Sequence, residues 1–220
     1  MSARLVLVGL VLCLVIGAAR ADAPRNFGKS NAQILAMGSE KWMDYQGMKA
    51  GQSTGAMTEG MDAYRAALRW RNDGLSKRSK AAARVGKLRG HLVEFTRALM
   101  EIGSYQTGGG TMWANIGAGA ISDSEEVLYP LLGGPAKKSR RHTTGKVKRA
   151  LDELRQLIET RSKKSDVTPA ARADALKTFD RVRKSWAEAE KIAATFDRAG
   201  SDHILEFCLE QIQTAHGDGQ

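Results

Sequence analysis

Cysteine, proline and N-glycosylation signals are all scarce in this chain. Its 220 residues include two cysteines and four prolines, and no asparagine begins an Asn-x-Ser/Thr sequon. Two cysteines are too few for a disulfide-stapled scaffold, and four prolines exclude a proline-rich linker protein. For an exported chain, the lack of sequons and disulfides fits a bacterial envelope better than a eukaryotic secretory route.

One long apolar run is present, at the N-terminus. Residues 5–18 read LVLVGLVLCLVIGA, after the basic Arg4 and before Ala19-Arg20-Ala21. This pattern predicts a cleavable export signal over residues 1–21, with cleavage before Asp22. The run is shorter than the about 20 residues that a spanning helix needs. We therefore expect a periplasmic or secreted mature chain without a transmembrane helix.

The mature chain, residues 22–220, has the composition of one folded domain. Hydrophobic residues make up 42% of the whole chain and charged residues 26%, which argues against global disorder. After cleavage Cys208 is the only cysteine. Since it lies in the apolar stretch 204–209, we expect a buried, unreactive thiol.

Apolar residues recur at heptad spacing, and no alternating run is long enough to indicate a strand. The recurring positions are Met57, Met61, Tyr64 and Leu68; Val85, Leu88, Leu92, Phe95, Leu99 and Ile102; Val147, Leu151, Leu154 and Ile158; and Ala175, Phe179, Val182, Trp186, Ala189, Ala193 and Phe196. Such stripes are buried when helices pack at small crossing angles. The sequence therefore predicts an all-α, single globular bundle of six to seven helices.

Capping and breaking residues predict the limits of the earlier helices. A first helix is expected from Ser30 or Asn31 to about Lys49, and a second from about Thr58, after a flexible link at residues 51–55. Asn72-Asp73-Gly74 predicts a break in the second helix. The apolar phase continues beyond these residues, so one long helix reaching Ile102 stays an alternative.

Three more helices are expected after residue 142. The first covers about 144–161. The second has Thr168 as its N-cap and Pro169 at its first position, and ends near Gly200. A short final helix covers about 204–215.

Basic residues are concentrated in two segments. Between residues 65 and 89 there are nine basic residues and one acid, and between 137 and 149 seven basic residues and no acid. Segregated charge of this kind attracts anionic partners, either an anionic polymer or membrane headgroups, without sequence-specific recognition of nucleic acid. The expected binding residues are Arg65, Arg69, Trp70, Arg71, Arg78, Arg84, Lys137, Lys138, Arg140 and Arg141. The alternative is that both segments are solvated helix faces that keep the protein soluble.

Glycine is concentrated in the region 103–142, which we expect to be an irregular insert. Eight glycines lie between Gly103 and Gly134, interleaved with aromatic and aliphatic residues. A helical turn is expected from Thr111 through Ile116, and a capping box at Ser122 predicts a short helix from Asp123 to Tyr129, stopped by Pro130. The insert is predicted to be either a lid that closes the end of the bundle or a ligand-contact loop in which Trp113 takes part.

Carboxylates beside this region raise the alternative of a cell-envelope hydrolase. Glu101 is expected to end the helix before the insert, with Asp123, Glu125 and Glu126 at the start of the helix after it. Two carboxylates in different environments can divide acid and base roles, and Glu101 is then the candidate acid. Helix-terminus electrostatics explains the other three equally well.

A metal or haem carrier is the third alternative. The four histidines stand alone, with no pair at helical i, i+3 or i+4 spacing, so no zinc site and no bound cofactor are predicted from them. Methionines are concentrated at Met37, Met43, Met48, Met57 and Met61. Thioethers suit Cu(I), but methionine also fills gaps in cores.

The favoured prediction is an exported, non-catalytic binding or structural module with a cationic surface for an anionic envelope partner.

Overall fold

The computed structural model describes residues 25–108, 110–136 and 143–216. The predicted export signal, and the predicted binding residues Lys137, Lys138, Arg140 and Arg141, lie outside these ranges. The described residues form seven helices and no strand, which confirms the predicted all-α bundle. The helices are α1 (Asn31–Ala50), α2 (Thr54–Ser76), α3 (Ala82–Thr107), α4 (Gly110–Leu131), α5 (Thr144–Arg161), α6 (Pro169–Ala193) and α7 (Arg198–His216).

Helix α3 is central to the bundle. It packs along α6 on one side and α4 on another, while α7 packs against α5, α3 and α4. Helix α2 packs on the outer side of α4, and α1 packs on α2. The fold is therefore a main bundle of α3 to α7 to which α2 attaches, with α1 outermost.

The main core contains the apolar stripes predicted for α3, α5 and α6. All six predicted positions of α3, from Val85 to Ile102, are buried, as are the four of α5 from Val147 to Ile158. Burial of this apolar surface is the main force that holds such a bundle together. A second, smaller core joins α1 to α2 through Ile34, Trp42, Ala63 and Ala67.

The predicted apolar stripe of α2 is correct at Leu68, which is fully buried, and wrong at Met57 and Met61. Met57 is 40% exposed and Met61 and Tyr64 are half-buried, while small residues one or two positions away face the neighbouring helices. The buried residues of α2 are Ala56, Gly60, Ala63, Ala67, Leu68 and Asn72. Small side chains let α1 approach closely enough for the Trp42 indole Nε1 to donate a hydrogen bond to the Gly60 carbonyl, at 2.7 Å.

The expected irregular insert is a helix over most of its described length. Helix α4 runs without interruption through the glycines at 110, 117 and 119, and ends one residue after Pro130. Ser122 does not cap a helix; its hydroxyl donates to the Ala118 carbonyl from inside α4. The glycines are compatible with a helix here because Gly117 packs on α3: a Cβ at that position would lie 3.0 Å from Cγ of Met100.

Other helix limits differ by a few residues from those predicted. Helix α2 starts at Thr54 with Ser53 as its N-cap, so the link after α1 is only Gly51 to Ser53. It continues through Gly74 and ends at Ser76, and a turn at residues 77–81 separates it from α3. The predicted break is thus real but comes after Asn72-Asp73-Gly74, because Asn72 is held inside the helix by hydrogen bonds to Glu125. Helix α6 ends at Ala193, and α7 begins at Arg198.

Candidate functional site

The C-terminal half of α2 opens into a hollow of about 760 Å³ that we call the cationic hollow. Its charged and aromatic lining residues are Arg69, Trp70, Arg71, Asp73, Lys77, Arg78 and Tyr129. Four of the predicted binding residues, Arg69, Trp70, Arg71 and Arg78, therefore meet at one place. Gly74 also lines the hollow, and a Cβ there would have no neighbour within 4 Å.

Arg71 is held at the inner wall of the cationic hollow. Its guanidinium lies 3.6 Å from the centre of the Tyr129 ring, and its Nη2 is 3.2 Å from a carboxylate oxygen of Glu126. The cation–π contact and the ion pair fix the guanidinium between α2 and α4. Arg71 therefore shapes the wall, and its charge is already partly neutralised.

Three cations at the hollow have no such restraint. Arg69, Lys77 and Arg78 are exposed and make no ion pair with any described residue. The remaining lining carboxylate, Asp73, is bound at 3.3 Å by Arg89. The free charge at the hollow is thus positive, and Trp70, 54% exposed, places a large aromatic surface beside it.

A buried polar cluster lies behind the hollow and holds α2, α3 and α4 together. The Glu125 carboxylate is buried, accepts a hydrogen bond of 2.8 Å from Asn72 Nδ2, and lies 2.8 Å from Nε of Arg89. Arg89 also reaches Asp73 at the rim of the cationic hollow. The cluster therefore links Asp73, at the rim of the cationic hollow, to the buried Glu125 carboxylate through Arg89.

The other predicted cations lie elsewhere. Arg65 forms an ion pair with Asp62 at 2.7 Å, one turn earlier on α2. Arg84 donates from Nη1 to the Thr195 carbonyl at 2.8 Å and lies over the Phe196 ring, which ties α3 to the α6–α7 connection. Both guanidiniums thus have partners within the fold.

The described part of the second basic segment is on α5. Lys148 lies 3.4 Å from the Glu190 carboxylate of α6, and Lys146 and Arg149 are exposed. Helix α5 packs on α7, α6 and α3, whereas α2 packs on α1 and α4. These cations therefore do not share a helix interface with the cationic hollow.

A second depression, a groove of about 520 Å³, runs between α3 and α4. Three predicted residues, Arg65, Glu101 and Trp113, contribute to it. Trp113 is 2% exposed, packs against Gly103, and donates from Nε1 to the Thr107 hydroxyl at 2.7 Å. Trp113 therefore belongs to the main core while also lining the groove.

Glu101 has the surroundings of a structural carboxylate. It lies inside α3, not at its end, and its Oε2 accepts a hydrogen bond of 2.7 Å from Arg181, which also binds Glu94. The hydrogen bonds from Arg181 to Glu94 and Glu101 raise the pKa of the guanidinium. The ion pair with Arg181 therefore joins α3 to α6 through Glu101, which is a structural role. Asp123, Glu125 and Glu126 likewise lie inside α4, so the predicted helix-start positions are wrong.

Two constituents of the site were not singled out from the sequence. Tyr129 comes from a helix more than fifty residues further along the chain, and the local sequence of Asn72 predicts only a helix breaker. The tyrosine beside Pro130 carries no local signal that it will stack on Arg71. Both roles depend on the packing of α2 against α4.

Comparisons with known proteins supply no relative for this chain. No protein-family model, no curated protein and no solved structure matches it. None of the helices in the described ranges is both long and apolar enough to cross a bilayer. Within the same ranges, no group of three or more histidine, cysteine, aspartate or glutamate side chains is arranged to hold a metal ion.

Proposed function

We propose that this protein is an exported, non-catalytic binding module whose cationic hollow holds an anionic polymer of the cell envelope. The observation that carries the proposal is the grouping of Arg69, Lys77 and Arg78, all without an ion-pair partner in the described structure, around one hollow. Cations that keep a soluble surface hydrated are usually interspersed with acids, whereas these three border a concave site.

The aromatic residues of the hollow favour a polymer that also carries rings. Trp70 is exposed between two arginines, and Tyr129 also lines the hollow. An exposed indole offers a flat, weakly hydrated surface on which a sugar or other ring can lie while the cations bind acidic groups. An acidic polysaccharide meets both requirements, and we take this class as the ligand.

Salt-dependent binding to heparin, a sulfated polysaccharide, tests the proposal. Because binding through free cations releases counterions, the affinity is expected to fall by on the order of tenfold when salt rises from low concentration to about 0.15 M. The double variant Arg69→Glu, Arg78→Glu should lose binding at both salt concentrations. Trp70→Ala should weaken binding and leave the salt dependence unchanged, since it removes contact area and no charge.

The matched control is Arg172→Glu, Arg183→Glu on α6. These two arginines are exposed and make no ion pair among the described residues, so this variant has the same net charge as the first. It should bind heparin almost as the parent chain does. Equal loss in both double variants would show that only net charge matters, and binding to anionic vesicles without binding to heparin would identify headgroups as the partner; either result overturns the proposal.

Export is tested by N-terminal sequencing of the protein from a fractionated bacterial host. The expected product is found outside the cytoplasm and begins at Asp22, because the signal would be cut after Ala21. A chain that stays in the cytoplasm with residues 1–21 attached contradicts this part of the proposal.

A further inference from the structure

Three methionines line one hollow of about 600 Å³ where α1 turns into α2, which we call the methionine hollow. They are Met43 and Met48 of α1 and Met57 of α2. Met48 is 78% exposed and Met57 40% exposed. A gap-filling methionine is buried, so core packing does not explain why these two thioethers face the hollow.

The sulfur of Met43 lies against Gly60 of α2, and Met57 lines the same hollow. A Cβ placed on Gly60 would lie 3.1 Å from the Met43 sulfur. The absence of a side chain at Gly60 therefore leaves room for the Met43 thioether beside α2, about one turn along the helix from Met57.

A buried acceptor without a partner lies in the wall of the hollow. The Gln46 side chain is 1% exposed, and its amide nitrogen donates to the Ala56 carbonyl at 3.4 Å. Its Oε1 has no hydrogen-bond partner. A buried carbonyl oxygen left unsatisfied costs free energy unless something supplies positive charge or a proton donor, so it favours an occupant of that kind.

The charge of the lining also favours a cation. Asp44 is the single charged residue in it, and the remainder is thioether, amide and small side chains. This contrasts with the cationic hollow at the other end of α2. A site with three soft thioether ligands and no thiolate or imidazole selects Cu(I) over the harder divalent ions.

We propose that the methionine hollow is a binding site for Cu(I), held by the thioether sulfurs of Met43, Met48 and Met57. Ligands from both helices would close the α1–α2 turn around the ion. Gln46, whose oxygen has no hydrogen-bond partner, lines the same hollow and favours a positive charge there. This site is separate from the cationic hollow and does not depend on the polymer-binding proposal.

The test uses the full chain with Cys13→Ser, so that the cysteine of the signal region does not bind the metal. Cu(I), kept reduced by ascorbate, is titrated in competition with the chromogenic chelator bicinchoninate. We expect one Cu(I) per chain. Replacing all three methionines by leucine, which nearly conserves volume, should lower the affinity by about tenfold or more, the loss typical even of residues that only support a metal ligand.

Labelled methionine methyl groups give an independent readout with Ag(I), a diamagnetic substitute that needs no reductant. The methyl resonances of Met43, Met48 and Met57 should shift on adding Ag(I), while those of Met100 and Met112 should not. Met112→Leu is the control variant, since Met112 is 39% exposed on α4 and does not line this hollow. Unchanged affinity in the triple variant with an intact helical spectrum, or shifts confined to other methionines, overturns the proposal.

Discussion

The Glu125 carboxylate is a buried charge whose partners come from two other helices of the bundle. Asn72 donates to both its side chain and its backbone carbonyl, at 2.8 and 2.7 Å, and Arg89 neutralises it. Removing one partner of a buried ion pair destabilises the fold, because the remaining charge has no water to solvate it. The cluster therefore joins side chains of α2 and α3 to one buried carboxylate of α4.

The first prediction concerns this cluster. Glu125→Ala should lower the free energy of unfolding by about 3 kcal/mol, since it leaves the mostly buried Arg89 guanidinium with only Asp73 as partner. Glu159→Ala is the control, because Glu159 pairs with Arg155 on the exposed face of α5; its effect should stay within about 0.5 kcal/mol. Urea unfolding measures both, and equal losses would contradict the assignment.

The second prediction concerns the Cys208 thiol. Burial raises the pKa of Cys208. The fold keeps the thiol protonated, whereas in the unfolded chain it ionises at about pH 8.5. The unfolded state therefore binds fewer protons above that pH, and stability falls as the pH rises by up to about 1.4 kcal/mol per pH unit.

The pH effect is isolated by comparing Cys208 with Cys208→Ala, both in the Cys13→Ser chain. The difference between their unfolding free energies should be constant near neutral pH and should shift against the cysteine chain above about pH 8.5. A thiol reagent such as DTNB should react with Cys208 only on unfolding. Rapid labelling of the folded chain would show that the thiol is accessible.

At the scale of the helix, glycines with the same backbone conformation have opposite roles in α3. A Cβ at Gly103 would lie 2.6 Å from the Trp113 ring, whereas a Cβ at Gly90 would meet nothing within 4 Å. Gly103 is thus required for the close approach of α4. Gly90 only lowers the helix propensity of α3.

The third prediction compares these two glycines. Gly90→Ala should raise the free energy of unfolding by about 0.5–1 kcal/mol, through helix propensity and a less flexible unfolded chain. Gly103→Ala should lower it by about 1–3 kcal/mol, because the new methyl displaces the indole from its place in the core. Thermal and urea unfolding of both variants check the signs. Stabilisation by Gly103→Ala would mean that the α3–α4 contact is looser than described.

For the molecule as a whole, α1 is the helix with the least buried support. Its apolar contacts with α2 are centred on Ile34 and Trp42, and the helix is kinked at Gly38, whose φ is 76°. Helix α3, by contrast, is surrounded by α4, α6 and α7. Since local stability follows the apolar surface buried around an element, the bundle is not uniform in its resistance to opening.

The fourth prediction is that α1 opens without unfolding the main bundle. In native-state hydrogen exchange at increasing denaturant, amides of α1 should exchange through an opening of lower free energy than amides in the middle of α3. Trp42→Ala should accelerate exchange in α1 and leave α3 nearly unchanged. A single common opening energy for both helices would contradict this.

The helical stripes show which features can be predicted from the sequence. Large apolar residues at heptad spacing, such as Leu92 and Phe95 in α3, indicate their own burial, because any helix that carries such a stripe must cover it. Ser30 and Thr168 cap α1 and α6 for an equally local reason: a cap acts on backbone groups three residues away. The fold class and several helix starts could therefore be predicted.

Small residues carry no comparable local signal. The spacing of Met57, Met61 and Tyr64 predicts that they form the core face of α2, yet Ala63 and Ala67 are the residues buried there. An alanine or glycine is favoured over a larger residue only where a neighbouring side chain must approach the helix closely, as Trp42 does at Gly60. The helical state of the Gly-rich α4 depends in the same way on contacts such as that of Gly117 with Met100.

The candidate site likewise depends partly on the local sequence and partly on tertiary packing. The charge of Arg69, Arg71 and Arg78, and the aromatic residue among them, is a property of neighbouring positions and was visible in the chain. Which guanidiniums stay free was decided by tertiary packing, since it is Glu126 and Tyr129 of α4 that bind Arg71 and leave Arg69 and Arg78 to face the hollow. Periodicity and charge are local quantities, whereas pairing and enclosure require groups far apart in the chain to meet in space.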